Sequence, residues 1–277
     1  MVLLNALYCM SADGAFQLVH KKDDFDFYSE VWQKLSLQER DKINFQRLNS
    51  FPIVLPLNPP KDAFWLDKQA RYSITASKLA KLQTSIICMC AREIGMNPST
   101  STITDGTASV GGNTFDFVEN FAHVNAVELN KNTAQMLLHN LELLNLSAKV
   151  TVWQGDCTNI AAAATHFKHD ILFLDPPWRG EDYGKYVRLS LFLSGQNLRK
   201  VCCDWIRNGT KLIALKLPLN FNYNEFLHQA ENLPFTLMYS AEIGTDCKGD
   251  ARAIRYGSRE QRQAFRSIMG IAILCAK

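Results

Sequence analysis

Short apolar runs alternate with helix-compatible segments through the middle of this chain, and that alternation restricts the fold more than any other feature. The runs are Thr100–Thr104, Val124–Leu129, Lys149–Trp153, Asp170–Leu174 and Lys211–Leu217, each of strand length. Segments such as Asn132–Leu144 and Ser194–Ile206 separate them with helical spacing. Strands that alternate with helices are joined by crossovers and build a doubly wound, mostly parallel sheet. Two later runs, Phe235–Ser240 and Ile268–Leu274, lack a full helix between them and are expected to pair antiparallel at an edge. The expected architecture is a Rossmann-like α/β fold with a seven-stranded sheet.

Residues 1–60 read differently. An acidic-aromatic stretch (Asp23, Asp24, Phe25, Asp26, Phe27, Tyr28) precedes a predicted helix around Ser29–Leu48. Pro52, Pro56, Pro59 and Pro60 then suit an extended connector. From Ser77 to Ile94 the apolar residues Leu79, Leu82, Ile86, Ile87, Met89, Cys90 and Ile94 recur at helical spacing, up to a stop at Gly95. We therefore expect a mainly helical N-terminal extension over 1–95 and a Rossmann-like domain over 96–277.

Composition bounds the partners. The net charge of +3 does not by itself mark a nucleic-acid binder, although local clusters can. The eight cysteines contain no C-x-x-C pair, so zinc-knuckle spacing is absent and no metal is expected. Cys88/Cys90 and Cys202/Cys203 read as core residues, as do His139 and Trp153. Free thiols, with no leader and no membrane-length apolar run, predict an intracellular protein of cytoplasm or nucleus with no membrane partner.

The segment Asp105-Gly106-Thr107-Ala108-Ser109-Val110-Gly111-Gly112-Asn113-Thr114 follows the first of the central strands and opens a helix. Small residues there let a ligand approach the backbone, and the helix start offers free N–H donors. Glu128 ends the next strand, where a carboxylate can take both hydroxyls of a ribose. Asp156 follows the third and can accept from an adenine amino group. The alternative is that these acids merely cap the helices that follow. No G-x-x-x-x-G-K-[ST] loop is present, and the turn does not read G-x-G-x-x-G. A nucleoside without phosphates fits best, and S-adenosylmethionine is the expected cofactor.

The fourth strand runs straight into Asp175-Pro176-Pro177-Trp178. The prolines fix the backbone and remove N–H donors, leaving carbonyls free to accept. Trp178 supplies a flat face for a base. An exocyclic amine on a nucleobase is a poor nucleophile because its lone pair is conjugated with the ring. Accepting its N–H protons at Asp175 and at the Pro176 carbonyl would turn that pair toward an electrophilic methyl and stabilise the charge developing on nitrogen. Asp175, Pro176 and Trp178 are the candidate catalytic residues.

Gly112-Asn113-Thr114 with Phe115 and Phe117, and then Asp175-Pro176-Pro177-Trp178-Arg179-Gly180-Glu181-Asp182-Tyr183, resemble the RNA cap guanine-N2 methyltransferases, the trimethylguanosine synthase family. That family carries a G-V-G-G-N-T turn and an S-P-P-W-G-G-P-D-Y loop. Tyr72-Ser73-Ile74-Thr75 is similar to its W-F-S-V-T-P-E segment, and Leu217-Pro218-Leu219-Asn220 to its L-P-R-N. The resemblance covers roughly 65–240 and leaves out 1–60 and 241–266.

It implies a class I methyltransferase fold and methyl transfer to N2 of a 7-methylguanosine cap on RNA. Thr75, Asp105, Thr107, Gly111, Asn113, Thr114, Glu128 and Asp156 would bind cofactor. Trp178 would stack on the base, and Tyr183 and Asn220 would meet substrate, while Arg179, where the family has glycine, is a candidate contact for cap phosphates. In three places the chain departs from the family: Ser109 and Arg179 stand at glycines, and Asp175 stands at a serine.

Lys248, Arg252, Arg255, Arg259, Arg262 and Arg266, with Tyr256 and Phe265 interleaved, form a basic segment. Arg252 and Arg255 are its candidate RNA-backbone contacts, with a solvated charged face as the alternative. D-P-P-W also resembles adenine-N6 methyltransferases of RNA or DNA, which is the second functional reading. The third is a catalytically inactive methyltransferase fold that binds RNA or a protein.

Overall fold

The computed structural model describes residues 7–10, 16–20, 64–66, 70, 74–159, 168–228, 232–246, 250–254 and 265–277. The central strands are β3 (Thr102–Asp105), β4 (His123–Glu128), β5 (Val150–Gln154), β6 (Ile171–Leu174) and β9 (Leu212–Leu217). Neighbours in the order β5-β4-β3-β6-β9 pair in parallel. β10 (Phe235–Asp246) and β12 (Phe265–Ala276) complete the seven expected strands, and both run antiparallel, β12 lying between β9 and β10. The fold is the Rossmann-like one that the alternation predicts.

Every residue of β3, β6 and β9 is buried, as expected for parallel strands covered on both faces. Alternation divides their side chains between two cores. Ile171, Phe173, Leu212 and Ala214 join one cluster with Ile87, Phe115, Phe117 and Leu137. Leu172, Leu174, Ile213 and Leu215 join the other with Cys202 and Trp205. The first is covered by α1 (Ser77–Glu93), α2 (Thr114–Asn120) and α3 (Lys131–Leu143), the second by α4 (Leu198–Arg207). Asn130 caps α3 by accepting from the N–H groups of Asn132 and Thr133.

The sheet is wider than expected: β1 (Leu7–Met10) lies parallel to β5, β2 (Phe16–His20) pairs antiparallel with β1, and β11 (Ala251–Ile254) lies beside β10, so the described residues form ten strands in the order β2-β1-β5-β4-β3-β6-β9-β12-β10-β11. The described part of residues 1–95 is therefore not purely helical: β1 and β2 extend the sheet past β5, whose backbone would otherwise be an open edge. The helix expected at Ser29–Leu48 and the proline connector lie outside the described residues.

The predicted helix from Ser194 begins instead at Leu198. Ser194 and Gly195, both at positive φ, make the turn of a small hairpin between β7 (Phe192–Leu193) and β8 (Gln196–Asn197).

Phe64, Leu66 and Ala70 pack in the first core beside α1. Asn140 of α3 holds this segment to the sheet, accepting from the Trp65 N–H and donating to the carbonyls of Trp65 and Val110. His139 stacks on Trp65 with ring centroids 4.0 Å apart, and the Trp153 indole donates to Asn125 Oδ1.

Candidate active site

Parallel crossovers leave a crevice beyond the carboxyl ends of the strands. Here it is a cavity of about 450 Å³. Asp105 at the end of β3, Glu128 at the end of β4, Asp156 after β5 and Asp175 after β6 all line it. Thr75, Thr107 and Asn113 are also on its wall, together with Ser109, Gly112 and Pro177. Among the described lining residues there is no lysine or arginine.

Each of the first three acids anchors its own turn. Asp105 is 1% exposed; one oxygen accepts from the Thr107 N–H and the other from the Thr114 hydroxyl at 2.7 Å. Burial pushes its carboxyl up to about 7, against the pull of those two hydrogen bonds. Glu128 accepts from the Ser109 N–H at 2.9 Å and the Asn130 N–H at 2.8 Å. Asp156 takes the N–H and the hydroxyl of Thr158. Only Asp156 meets a helical turn in the way the capping alternative describes, since Asn130 caps α3 and α2 has no side-chain cap, and all three acids remain on the cavity wall. A carboxylate has roughly four lone-pair sites, so each retains capacity for a ligand donor.

Gly111 and Thr114 do not reach the wall. A Cβ on Gly111 would run into the Phe115 ring, and its φ of 111° suits glycine alone. Thr114 is fully buried with its hydroxyl committed to Asp105. Both shape the turn from behind. Gly112 permits a close approach: a Cβ there would lie 2.8 Å from the Thr75 backbone N. The segment before α1 is thereby pressed against the glycine turn.

The D-P-P-W loop is fastened to that turn by the Asp175 N–H, which donates to Thr107 Oγ1 at 2.7 Å. Pro177 lines the cavity, whereas Pro176 and Trp178 lie off its wall. Trp178 packs against both cores and meets Tyr183 edge-to-face at 5.2 Å. Its indole N–H is buried without a hydrogen-bond partner. Asn220 donates to the carbonyls of Tyr183 and Tyr186, so its amide nitrogen braces the loop, while its Oδ1 is buried and unpartnered. Arg179 has φ 64° and places its guanidinium 5.5 Å from the centre of the Tyr186 ring.

The basic segment is not brought to the cavity in its described part. Arg252 lies on β11 at the sheet's far end and pairs with Asp246 at 2.7 Å. Arg266 lies on β12, and Lys248, Arg255, Arg259 and Arg262 lie outside the described residues.

Sequence reasoning missed Lys216. It is the one charged residue in the buried strand Leu212–Leu217, and its ammonium lies 2.6 Å from Asp175 Oδ2 and 2.9 Å from Thr75 Oγ1. A lysine inside an otherwise apolar central strand was the available signal, because such a charge must find a partner. Gln83 of α1 was missed as well. It is fully buried and accepts from the Asn113 amide, holding that wall residue in place.

The profile of the RNA cap guanine-N2 methyltransferase family matches residues 100–268, more than half of the chain. The match starts after the Thr75 segment and takes in 241–266, which the motif comparison had left out. A trimethylguanosine synthase of Schizosaccharomyces pombe is 31% identical over 131 residues, 46% of this chain and 51% of that protein. An uncharacterized protein of Acanthamoeba polyphaga mimivirus is 33% identical over 131 residues, 47% of this chain and 51% of that protein. The chain thus matches about half the length of these curated relatives. Among solved structures, a candidate methyltransferase from Porphyromonas gingivalis W83 superposes with a TM-score of 0.51 at 12% identity, over 78% of this chain and 44% of that one. That likeness concerns the fold alone. With the turn, the D-P-P-W loop and the strand order all inside or beside the matched span, the chain belongs to the RNA cap guanine-N2 methyltransferase family.

Proposed function

We propose that this protein transfers a methyl group from S-adenosylmethionine to the exocyclic N2 of a 7-methylguanosine RNA cap. The observation that carries the reading is the shared cavity: Asp175 of the D-P-P-W loop lines the same space as Asp105, Glu128 and Asp156. With Asp175 paired to Lys216, the wall still carries Glu128 and Asp156 and, among its described lining residues, no lysine or arginine, which disfavours phosphates and suits a cationic, phosphate-free nucleoside. S-adenosylmethionine is such a ligand, and it supplies an electrophilic methyl on a sulfonium.

The residues would then divide the work. Glu128 accepts the ribose hydroxyls and Asp156 the adenine amino group, while the turn from Gly106 to Asn113 gives backbone contact. Thr75 closes the wall from the segment before α1. Asp175 and the Pro176 carbonyl accept the two N–H protons of the substrate amine, holding its lone pair toward the methyl. S-adenosylmethionine would supply the methyl and keep the electrons of its S–C bond on sulfur, while Asp175 would take one N–H proton of the amine and pass it to solvent. Trp178 stacks on the base. A cationic 7-methylguanine gains about 0.5–2 kcal/mol there over neutral guanine. Arg179, exposed next to Trp178, would meet cap phosphates, and Tyr183 supports the Trp178 ring edge-to-face.

Asp175 in place of the family's serine favours one second reading, methylation of adenine N6. The deciding experiment is transfer of labelled methyl to 7-methylguanosine diphosphate, with GDP and an adenine-containing RNA alongside. Label confined to the 7-methylated nucleotide is the expected result. Label on adenine would replace this reading with the second, and cofactor binding without transfer would favour an inactive binding fold.

A further inference from the structure

Lys216 belongs to none of the motifs that carry the family resemblance. Its side chain is 6% exposed, and it lies on the side of β9 that faces the first core, in line with Leu212 and Ala214. One ammonium reaches three parts of the site. It donates to Asp175 Oδ2 at 2.6 Å and to Thr75 Oγ1 at 2.9 Å, and it lies 5.7 Å from the centre of the Trp178 ring.

Stability does not explain this arrangement. Burying an ammonium costs several kcal/mol before its partners repay it, and an apolar side chain of similar volume does as well or better. Five of the six residues of β9 are in fact apolar. What the lysine does supply is control of Asp175. Burial pushes the Asp175 carboxyl up, and the Lys216 charge and hydrogen bond oppose that rise. The ionisable groups acting around Asp175 are Lys216 from β9 and Asp105 from the end of β3, the latter a like charge when ionised. A protonated Asp175 would be a poor acceptor for an amine N–H. With Oδ2 committed to Lys216, the oxygen left for substrate is Oδ1.

We propose that Lys216 is a positioning residue for methyl transfer, orienting Asp175 and favouring its ionised form so that Oδ1 accepts the substrate amine. This rests on Asp175 being the amine acceptor in the proposed reaction. A serine at position 175, as in the family's loop, would need no counter-charge.

The test is a double-mutant cycle of Lys216→Met and Asp175→Ser in the full chain, read by single-turnover transfer to the acceptor that the wild type methylates. Lys216→Met alone should lower the rate about 30- to 100-fold, with acceptor KM and cofactor Kd within about threefold of wild type. In the Asp175→Ser background the same change should cost less than about threefold, because its partner is gone. Lys216→Arg should recover most of the rate.

A second readout needs no activity. In ligand-free protein labelled at the aspartate carboxyl carbon, the signal missing from Asp175→Ser should titrate at least about one pH unit higher in Lys216→Met than in wild type. Additive losses, a parallel loss of cofactor binding, or an unmoved carboxyl titration would overturn the proposal. Failure of the wild type to methylate any 7-methylguanosine acceptor would instead overturn the proposed function, and the titration would still decide the role of Lys216.

Discussion

Thr107 Oγ1 accepts the Asp175 N–H at 2.7 Å, so one hydroxyl fastens the cofactor-side turn to the loop that would hold the substrate amine. Thr107→Val keeps the shape and removes the acceptor, leaving the Asp175 N–H unpaired. We expect a stability loss of about 1–3 kcal/mol and a fall in kcat of about tenfold or more, larger than any change in cofactor affinity. Thermal unfolding and isothermal titration, run beside the methyl-transfer assay, separate these effects. An equal loss of affinity and rate would mean that the hydroxyl serves the turn alone.

Asp105 makes the free protein sensitive to pH. Its carboxyl is raised to about 7 in the fold by burial, from 3.8 outside it. Between those values the folded state binds more proton than the unfolded chain, so stability falls as pH rises through the window. The slope from this group alone is at most about 1.4 kcal/mol per pH unit. Asp105→Asn should flatten the dependence between pH 4 and 7 in denaturant titrations; an unchanged slope would show that another group governs it.

Ser109 holds φ 48° at a position where the resembled family has glycine. A non-glycine residue there costs about 1–2 kcal/mol, part of which glycine would forfeit in chain entropy. Ser109→Gly should therefore stabilise the protein by about 0.5–1 kcal/mol and leave the Ser109 backbone N–H, now that of glycine, still donating to Glu128. A lower melting temperature would show that the serine hydroxyl has a role of its own.

Trp178→Ala and Glu128→Ala should fail in opposite ways. Trp178 lies off the cofactor cavity, so its loss should abolish transfer while cofactor Kd changes less than about threefold. Glu128 is on the wall, and its loss should weaken cofactor binding about tenfold or more, with the rate largely restored at saturating cofactor. Titration calorimetry against single-turnover rates distinguishes the two, and undiminished cofactor affinity in Glu128→Ala would remove its ribose assignment.

Local chemistry made much of this legible. Each expected strand from Thr100 to Leu274 is present, β10 and β12 running longer than expected, because short segments rich in β-branched and apolar residues between turns have few other outcomes. The hairpin at Ser194–Gly195 was harder to read, since an apolar residue beside a turn suits a helix start as well as a short strand. Ser109 and Arg179, both departures from the family's glycines, have positive φ here, a backbone state that favours glycine and that residue identity alone does not announce.

Residue spacing by itself determined the doubly wound sheet, the acids at successive strand ends and the D-P-P-W loop beyond β6. These follow from periodicity and from turn chemistry within about ten residues. Only the tertiary structure decided how the pieces close on one another: Lys216 with Asp175 and Thr75, Gln83 with Asn113, and Arg252 with Asp246 rather than with the cavity. Lys216 and Thr75 are separated by most of the folded chain, and no local preference encodes their meeting. A buried charge selects its partner by the cost of having none, and that cost exists only once the sheet has brought the candidates together.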